Sequence, residues 1–151
     1  MSLDHTLYVE DVQEGQEIPT FQRQTDLMHW NRFAAVNDEF VQIHMDDEAA
    51  KKAGMTGAFG MGNLRYAYIL NMLRAWAGIN GDIRRLDVQH RAISYKHDVL
   101  TAKGKVTKKY AKDGKHFVDL DVEVTNQKNE KTTLGTATVE MPSKMAHAKA
   151  R

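Results

Sequence analysis

Two different rhythms of apolar residues run along this chain, and the change between them falls near Gly81. Before that point apolar positions recur at helical spacing, whereas after it they alternate with polar positions as in strands. The alternation is clearest where Val118, Leu120 and Val122 are separated by two aspartates. The pattern therefore predicts a helix-rich first part and a sheet-rich second part.

Three helices are predicted in the first part. One begins after Asp26 or the threonine before it, and a short one begins after Asp46 and ends before Gly54, because these residues suit helix caps. The third begins at Gly62 and is apolar around most of its circumference. A helix of that kind is normally buried on more than one side, so it should be central to the fold.

Residues from about 86 to 141 predict four strands that are joined largely as a meander. The segments "YAKDGKH" and "NQKNEKT" are rich in turn-forming residues and separate the strands. A curved antiparallel sheet around one buried helix is an α+β arrangement. We expect a single domain over 1–151, with a core over about 9–141 and a flexible tail at 142–151.

Composition and charge narrow the functional classes. The chain has 151 residues, is 42% hydrophobic and carries a formal net charge of +1, so no overall field favours nucleic acid or an anionic membrane. It contains no cysteine, which excludes disulfides, thiolate metal sites and a thiol nucleophile. The sequence shows neither a membrane-spanning apolar run nor a signal sequence, which predicts a cytoplasmic protein.

Four acidic residues, Asp38, Glu39, Asp46 and Asp47, flank a histidine in the segment "NDEFVQIHMDD". His44 with Asp38 or Glu39 could form an acid/base pair that activates water. His44, Asp46 and Asp47 could instead supply metal ligands, although the capping role of Asp46 weakens that hypothesis, and we expect no metal. The remaining alternative is a solvated loop whose charges have no chemical role.

Glycines precede the most apolar helix in "GMTGAFGMGNL". Backbone amides near Gly60, Met61 and Gly62 could bind an anion or a developing oxyanion, since the amides of a helix start point at the ligand. A phosphate loop or an RNA-binding Gly-x-x-Gly loop would need flanking signals that are absent. Close helix–sheet packing that only glycine permits is the structural alternative.

Basic residues recur through the predicted strands. They are most often a solvated face, but they could also bind a phosphorylated carrier such as coenzyme A. Acidic residues on the next strand disfavour nucleic acid. The residues are Arg84, Arg85, Lys103, Lys105, Lys108, Lys109, Lys112 and Lys115.

The segments "FAAVNDEF", "IHMDDEAAKKAG" and "GAFGMGNL" together resemble the MaoC-like dehydratases and (R)-specific enoyl-CoA hydratases. The resemblance covers about Val9 to Met141. It implies a single hotdog fold, in which a curved antiparallel sheet wraps around a long central helix.

The resemblance assigns the site residue by residue. Without gaps, the positions that match the family pattern are Phe33, Ala34, Phe40, Ile43, His44 and Asp46. Glu39 then falls on the catalytic aspartate and Asp38 on a glycine, whereas a shift of one residue would make Asp38 the catalytic acid. Val41 and Gln42 replace the family's Asn-Pro.

The resemblance also implies an activity, which is addition of water to a 2-enoyl thioester of coenzyme A, or its reversal, in fatty acid metabolism. Glu39 or Asp38 would act with His44 on the water, amides at Gly60, Met61 and Gly62 would bind the thioester oxygen, and no cofactor would be needed. The alternatives are a non-catalytic acyl-CoA-binding subunit of a heteromeric hydratase and a hotdog thioesterase. A homodimer, a higher oligomer or a heteromer with a sister hotdog subunit is expected, with neither nucleic acid nor membrane as a partner.

Overall fold

The computed structural model describes residues 4–145 and contains three α-helices and five strands in that part of the chain. The helices are α1 (Leu27–Asn37), α2 (Asp47–Lys52) and α3 (Gly62–Ala77). The strands are β1 (Phe21–Gln24), β2 (Asp82–His90), β3 (Val99–Lys112), β4 (Lys115–Thr125) and β5 (Lys131–Met141).

The predicted helix starts are confirmed. Asp26 caps α1 by accepting a hydrogen bond from the amide of His29 at 3.1 Å, and Asp46 caps α2 by accepting one from Ala49 at 2.6 Å. Each carboxylate satisfies an amide that the first helical turn leaves without a partner. These caps fix where α1 and α2 begin.

The strands form one antiparallel sheet in the order β1-β3-β4-β5-β2. Strands β3, β4 and β5 follow one another as the predicted meander, but β2 pairs with β5 at the far edge instead of with β3. Alternation identifies a strand and its buried face, but it carries no information about its neighbour. The position of β2 therefore depends on tertiary packing.

Helix α3 lies against the interior of this sheet and contacts all five strands. Its Ile69, Met72 and Leu73 are buried together with Leu120 and Val122 of β4. Burying each such side chain stabilises the fold by about 1.5–3 kcal/mol. The predicted α+β arrangement of a curved antiparallel sheet around one helix is confirmed. No helix in residues 4–145 has the length and apolarity needed to cross a membrane.

The ordered contacts extend beyond the expected core boundaries. The carbonyl of Pro142 accepts a hydrogen bond from the amide of Val9 at 3.0 Å, and the hydroxyl of Ser143 donates to Glu10 at 2.5 Å. The first residues of the predicted flexible tail are thus held against the 3-10 turn Val9–Asp11. The rest of that tail, 146–151, lies outside the described residues.

Candidate active site

Asp38 ends α1 in a left-handed conformation. Its φ and ψ angles are 53° and 37°, and its amide donates to the carbonyl of Ala34. Glycine or asparagine usually fills this helix-end position, because a Cβ atom strains the left-handed backbone. The Asp38 side chain is exposed. Asp38 therefore occupies a backbone position suited to the glycine of the family pattern.

Glu39 points toward the start of α3. Its Oε2 accepts a hydrogen bond of 3.2 Å from the side-chain amide of Asn63, in the first turn of that helix. The Glu39 amide also donates to Ala34 at 3.0 Å, which fixes the chain as it leaves α1. Of the two adjacent acids, Glu39 is half-buried and Asp38 is exposed.

His44 lies in a 3-10 turn formed by Gln42–His44. Its Nδ1 is 2.8 Å from the carbonyl oxygen of Phe59, and its ring meets the Phe59 ring edge to face at 4.8 Å. Because a carbonyl only accepts, Nδ1 carries a proton, and in the neutral form of the ring Nε2 is the nitrogen with the lone pair. The Phe59 contact thus sets the tautomer that a proton acceptor at Nε2 requires.

Glu39 and His44 approach the start of α3 through different neighbours. Glu39 contacts Asn63, just inside the helix, and His44 contacts Phe59, just before it. Within residues 4–145 no hydrogen bond or ion pair joins the two side chains directly. The segment 59–63 therefore orients both groups without joining them.

The three backbone amides predicted as an oxyanion site are not equivalent. The Gly60 amide donates to the carbonyl of Ser94 at 2.8 Å and is not available to a ligand, which differs from the sequence-based expectation. No acceptor for the amides of Met61 and Gly62 is found within residues 4–145, and α3 has no side-chain cap at its start. Two of the three predicted donors, the amides of Met61 and Gly62, therefore have no described acceptor.

Close packing also requires glycine at both ends of this short segment. A Cβ atom at Gly60 would lie 2.8 Å from Oγ of Ser94, and one at Gly62 would lie 2.6 Å from the His90 ring. Both distances are shorter than real Cβ contacts. Close packing therefore accounts for both glycines.

A cleft of about 760 Å³ opens between the end of α1 and the outer side of α3. Both acids lie on its wall together with aromatic and aliphatic side chains, so the cleft combines an apolar surface with a carboxylate. Its principal lining residues are Phe33, Asp38, Glu39, Phe40, Tyr66 and Leu70.

The two acids after His44 have structural tasks. Asp46 caps α2, while Asp47 accepts hydrogen bonds of 2.8 Å from Lys96 and 2.9 Å from the Ala58 amide. Lys96, and then the Ala58 amide, hold the pKa of Asp47 below its usual value. Within residues 4–145 no cluster of three or more His, Asp or Glu side chains could hold a metal ion.

The basic residues of the sheet lie among acids and carbonyl groups. Arg84 pairs with Asp82 at 3.0 Å and with Glu140 at 2.8 Å, and Lys109 donates to carbonyls near the N-terminus. Lys103 and Lys105 lie opposite acidic residues of β4 in the strand register. These pairings favour a solvated, charge-balanced face.

Sequence reasoning missed the partners that orient the candidate acid and base. Asn63 gives only a weak signal as a polar residue in the first turn of a largely apolar helix, and the Phe59 carbonyl gives none. Backbone groups look alike in every sequence, so only the folded chain shows which one a side chain meets.

No protein-family model matches this chain, and no curated protein matches it by sequence. Solved structures do match. The chain is 19% identical to the (R)-hydratase PhaJ1 from Pseudomonas aeruginosa, with 89% of this chain and 85% of that one covered at a TM-score of 0.81. It is 18% identical to the (R)-hydratase from A. caviae, with 89% and 100% covered at a TM-score of 0.80. This chain has the hotdog fold.

A third similar structure of this hotdog type is a complex of two proteins. It is the ChsH1-ChsH2 complex from Mycobacterium tuberculosis, at 20% identity with 85% of this chain and 97% of that one covered and a TM-score of 0.75. The resemblance first drawn from short sequence segments is thus confirmed for the fold, across most of the hotdog domain.

Proposed function

We propose that this hotdog protein adds water to a 2-enoyl thioester, or removes water from the corresponding 3-hydroxyacyl thioester. The observation that carries the proposal is the placement of Glu39 and His44 around the start of α3, each oriented by a residue of the segment 59–63. This arrangement combines a carboxylate, a histidine of defined tautomer and helix-start amides. Hydration of an enoyl thioester needs those three elements.

In the proposed reaction Glu39 accepts a proton from the water while His44 Nε2 accepts a hydrogen bond from the same molecule and orients it. The water oxygen bonds to the β-carbon and keeps one hydrogen as the new hydroxyl group, the C=C π bond breaks, and the proton held by Glu39 passes to the α-carbon, which regenerates the carboxylate. Asp38 is the weaker candidate, because its side chain is exposed and has no described contact with the start of α3, whereas Glu39 is half-buried and bonded to Asn63.

The thioester oxygen gains negative charge as the β-carbon is attacked. We assign its stabilisation to the amides of Met61 and Gly62, because the Gly60 amide is already bonded to Ser94. Donors fixed in place before the reaction stabilise such a charge without reorganisation. The apolar cleft beside Glu39 would receive the acyl chain.

The direct test is to incubate the purified protein with crotonyl-CoA and to follow the loss of enoyl absorbance. Hydration predicts loss of this absorbance without release of free thiol, and a thiol reagent monitors that release in parallel. Release of free thiol without formation of 3-hydroxyacyl-CoA would instead identify a thioesterase. If the folded protein gives neither signal with enoyl-CoA of several chain lengths, activity of this chain alone is rejected.

A second candidate is an acyl-CoA-binding subunit of a heteromeric hydratase. Val41 and Gln42 stand where the family pattern has Asn-Pro, and Phe40 and Val36 remain 61% and 85% exposed, as residues that a partner would cover. The similar ChsH1-ChsH2 structure is itself a complex of two proteins. Hydration that appears only after a sister hotdog protein is added would favour this candidate.

We also propose that the protein forms a homodimer or larger assembly in the cytoplasm. Strand β2 is at one edge of the sheet and pairs only with β5 within residues 4–145. A long strand edge with unpaired backbone groups is normally covered. Light scattering of the purified chain tests this proposal, and a monomer at micromolar concentration would reject it.

A further inference from the structure

Arg65 is a buried cation without an ionic partner in the described part of the chain. It lies in the first turn of α3, is only 4% exposed, and has a side-chain Nε with no hydrogen-bond partner. Its single described contact is an Nη1 hydrogen bond to the carbonyl of Ala92. A guanidinium buried in this way is costly unless a negative charge offsets it.

The Arg65 side chain is directed toward the start of α3. Side chains on a helix lean toward its N-terminus, and Ala92 lies two residues before Ser94, whose carbonyl accepts the Gly60 amide. Arg65 also lies close enough to His90 for its charge to act on that ring, and the same ring packs against Gly62. Arg65, His90 and Gly62 are therefore neighbours at the helix start.

Around Arg65 the local charge is positive, and no acidic side chain within residues 4–145 forms an ion pair with it. Burial is the cause that lowers the pKa of Arg65, to about 10, so the group remains charged at neutral pH. Burial and then the Arg65 charge lower the pKa of His90, which favours a neutral imidazole. The Glu39 carboxylate, which contacts the first turn of α3, is bonded to Asn63 and has no described contact with Arg65.

We propose that the start of α3 is an anion-binding site in which Arg65 supplies a buried positive charge behind the amides of Met61 and Gly62. The anion is the enolate-type oxygen that a thioester acquires during hydration, so this inference rests on the proposed function and deepens it. Arg65 is a positioning residue, because it acts through the helix start and the Ala92 loop and need not contact the ligand.

The chemistry favours an oxygen whose negative charge develops during the reaction. Arg65 is only 4% exposed and does not line the cleft beside Glu39, so a permanently charged ligand group cannot reach it from that cleft. A fixed charge in a low-dielectric environment acts over several ångströms. It also adds to the helix dipole at the free amides.

The test uses acetoacetyl-CoA, whose enolate absorbs in the near ultraviolet and forms when a C2 proton is lost to solvent. At a pH where the free compound is mostly the ketone, binding to the wild-type protein should raise the enolate fraction. Arg65→Met should lower enolate affinity by about tenfold or more, and Arg65→Lys, which keeps the charge, should restore most of it. Arg74→Met, at an exposed arginine of the same helix, should have no effect.

A melting curve and light scattering separate this role from a structural one. Methionine removes an unpaired buried charge, so Arg65→Met should melt no lower than wild type while losing enolate binding. Equal enolate affinity in wild type and Arg65→Met would overturn the inference, whether or not the oligomeric mass changes. If Arg65→Met fails to fold, absence of the enolate band from the wild-type protein would overturn it.

The two proposals fail in different ways. An Arg65-dependent enolate band without hydration of any enoyl-CoA would support the anion site and reject the hydratase. Hydration with an enolate affinity that does not depend on Arg65 would support the hydratase and reject the anion site.

Discussion

The sheet and the segment from Asp38 to Gly62 use their residues in contrasting ways. In β4 the buried Leu120 and Val122 alternate with polar residues, and each side chain serves one face of the sheet. In the segment before α3 the polar side chains bond to backbone groups or to one another, and few large apolar groups are buried. The sheet therefore stabilises the fold, whereas the segment holds the candidate site residues in position. Substitutions in the two regions should have separable effects.

Leu120→Ala should have the largest effect, on stability alone. Removing a fully buried leucine from β4 should lower the free energy of unfolding by about 2–5 kcal/mol, because a cavity remains in the core. Urea unfolding followed by circular dichroism measures the loss. Val36→Ala, at a residue that is 85% exposed, is the control and should change stability by less than about 0.5 kcal/mol.

Glu39→Gln and His44→Ala should affect catalysis without a comparable loss of stability. Each should lower the hydration rate on the order of a hundredfold or more, about 2.7 kcal/mol of transition-state stabilisation, because each removes a proton-handling group. Rates with crotonyl-CoA provide the measurement. Asp38→Asn is the matched control and should retain activity within a few-fold, so an equal loss in Asp38→Asn would reassign the acid.

Gly62→Ala should show that the site segment is sterically constrained. The added methyl group would lie 2.6 Å from the His90 ring and should cost about 1–3 kcal/mol of stability. Replacing His90 by alanine in the same chain should recover most of that loss. Gly15→Ala provides the contrast, because nothing lies within 4 Å and the cost of about 1–2 kcal/mol comes from a φ of +82°. The His90 change should not rescue it.

Asp47→Asn should have the smallest effect, and the effect should depend on pH. Lys96 and the Ala58 amide lower the pKa of Asp47, so the ionised carboxylate stabilises the fold. This stabilisation is present above the ordinary value of 3.8 and is lost as pH falls through the lower folded-state pKa. Melting temperatures of wild type and Asp47→Asn should differ near neutral pH and converge in strong acid. A constant difference would contradict the assignment.

Sequence reasoning was most accurate where local signals act alone. The sequence predicts Asp46 as the cap of α2 and either Thr25 or Asp26 as the cap of α1, because a cap acts within one turn, and it predicts α3 from its apolar circumference. The strands β3, β4 and β5 were recognised by alternation and turns. Pairing of β2 with β5 was missed, because it depends on where the chain returns after α3.

The candidate site was only partly predictable. The spacing in "NDEFVQIH" drew attention to His44 and two adjacent acids, but it left the acids equivalent. The left-handed backbone of Asp38 and the contact between Glu39 and Asn63 separate them. Likewise, the sequence alone predicts three equivalent amide donors for an anion. The hydrogen bond from the Gly60 amide to the Ser94 carbonyl leaves two of them.

Local chemistry thus fixed the caps, the central helix, the alternating strands and the choice of His44, because each depends on residues close together in the chain. Packing decided the edge position of β2, the distinction between Asp38 and Glu39, the free amides of the helix start and the isolation of Arg65. Each of these depends on which distant backbone or side-chain group lies within a few ångströms. The order of residues along the chain does not specify such distances until the whole core has formed.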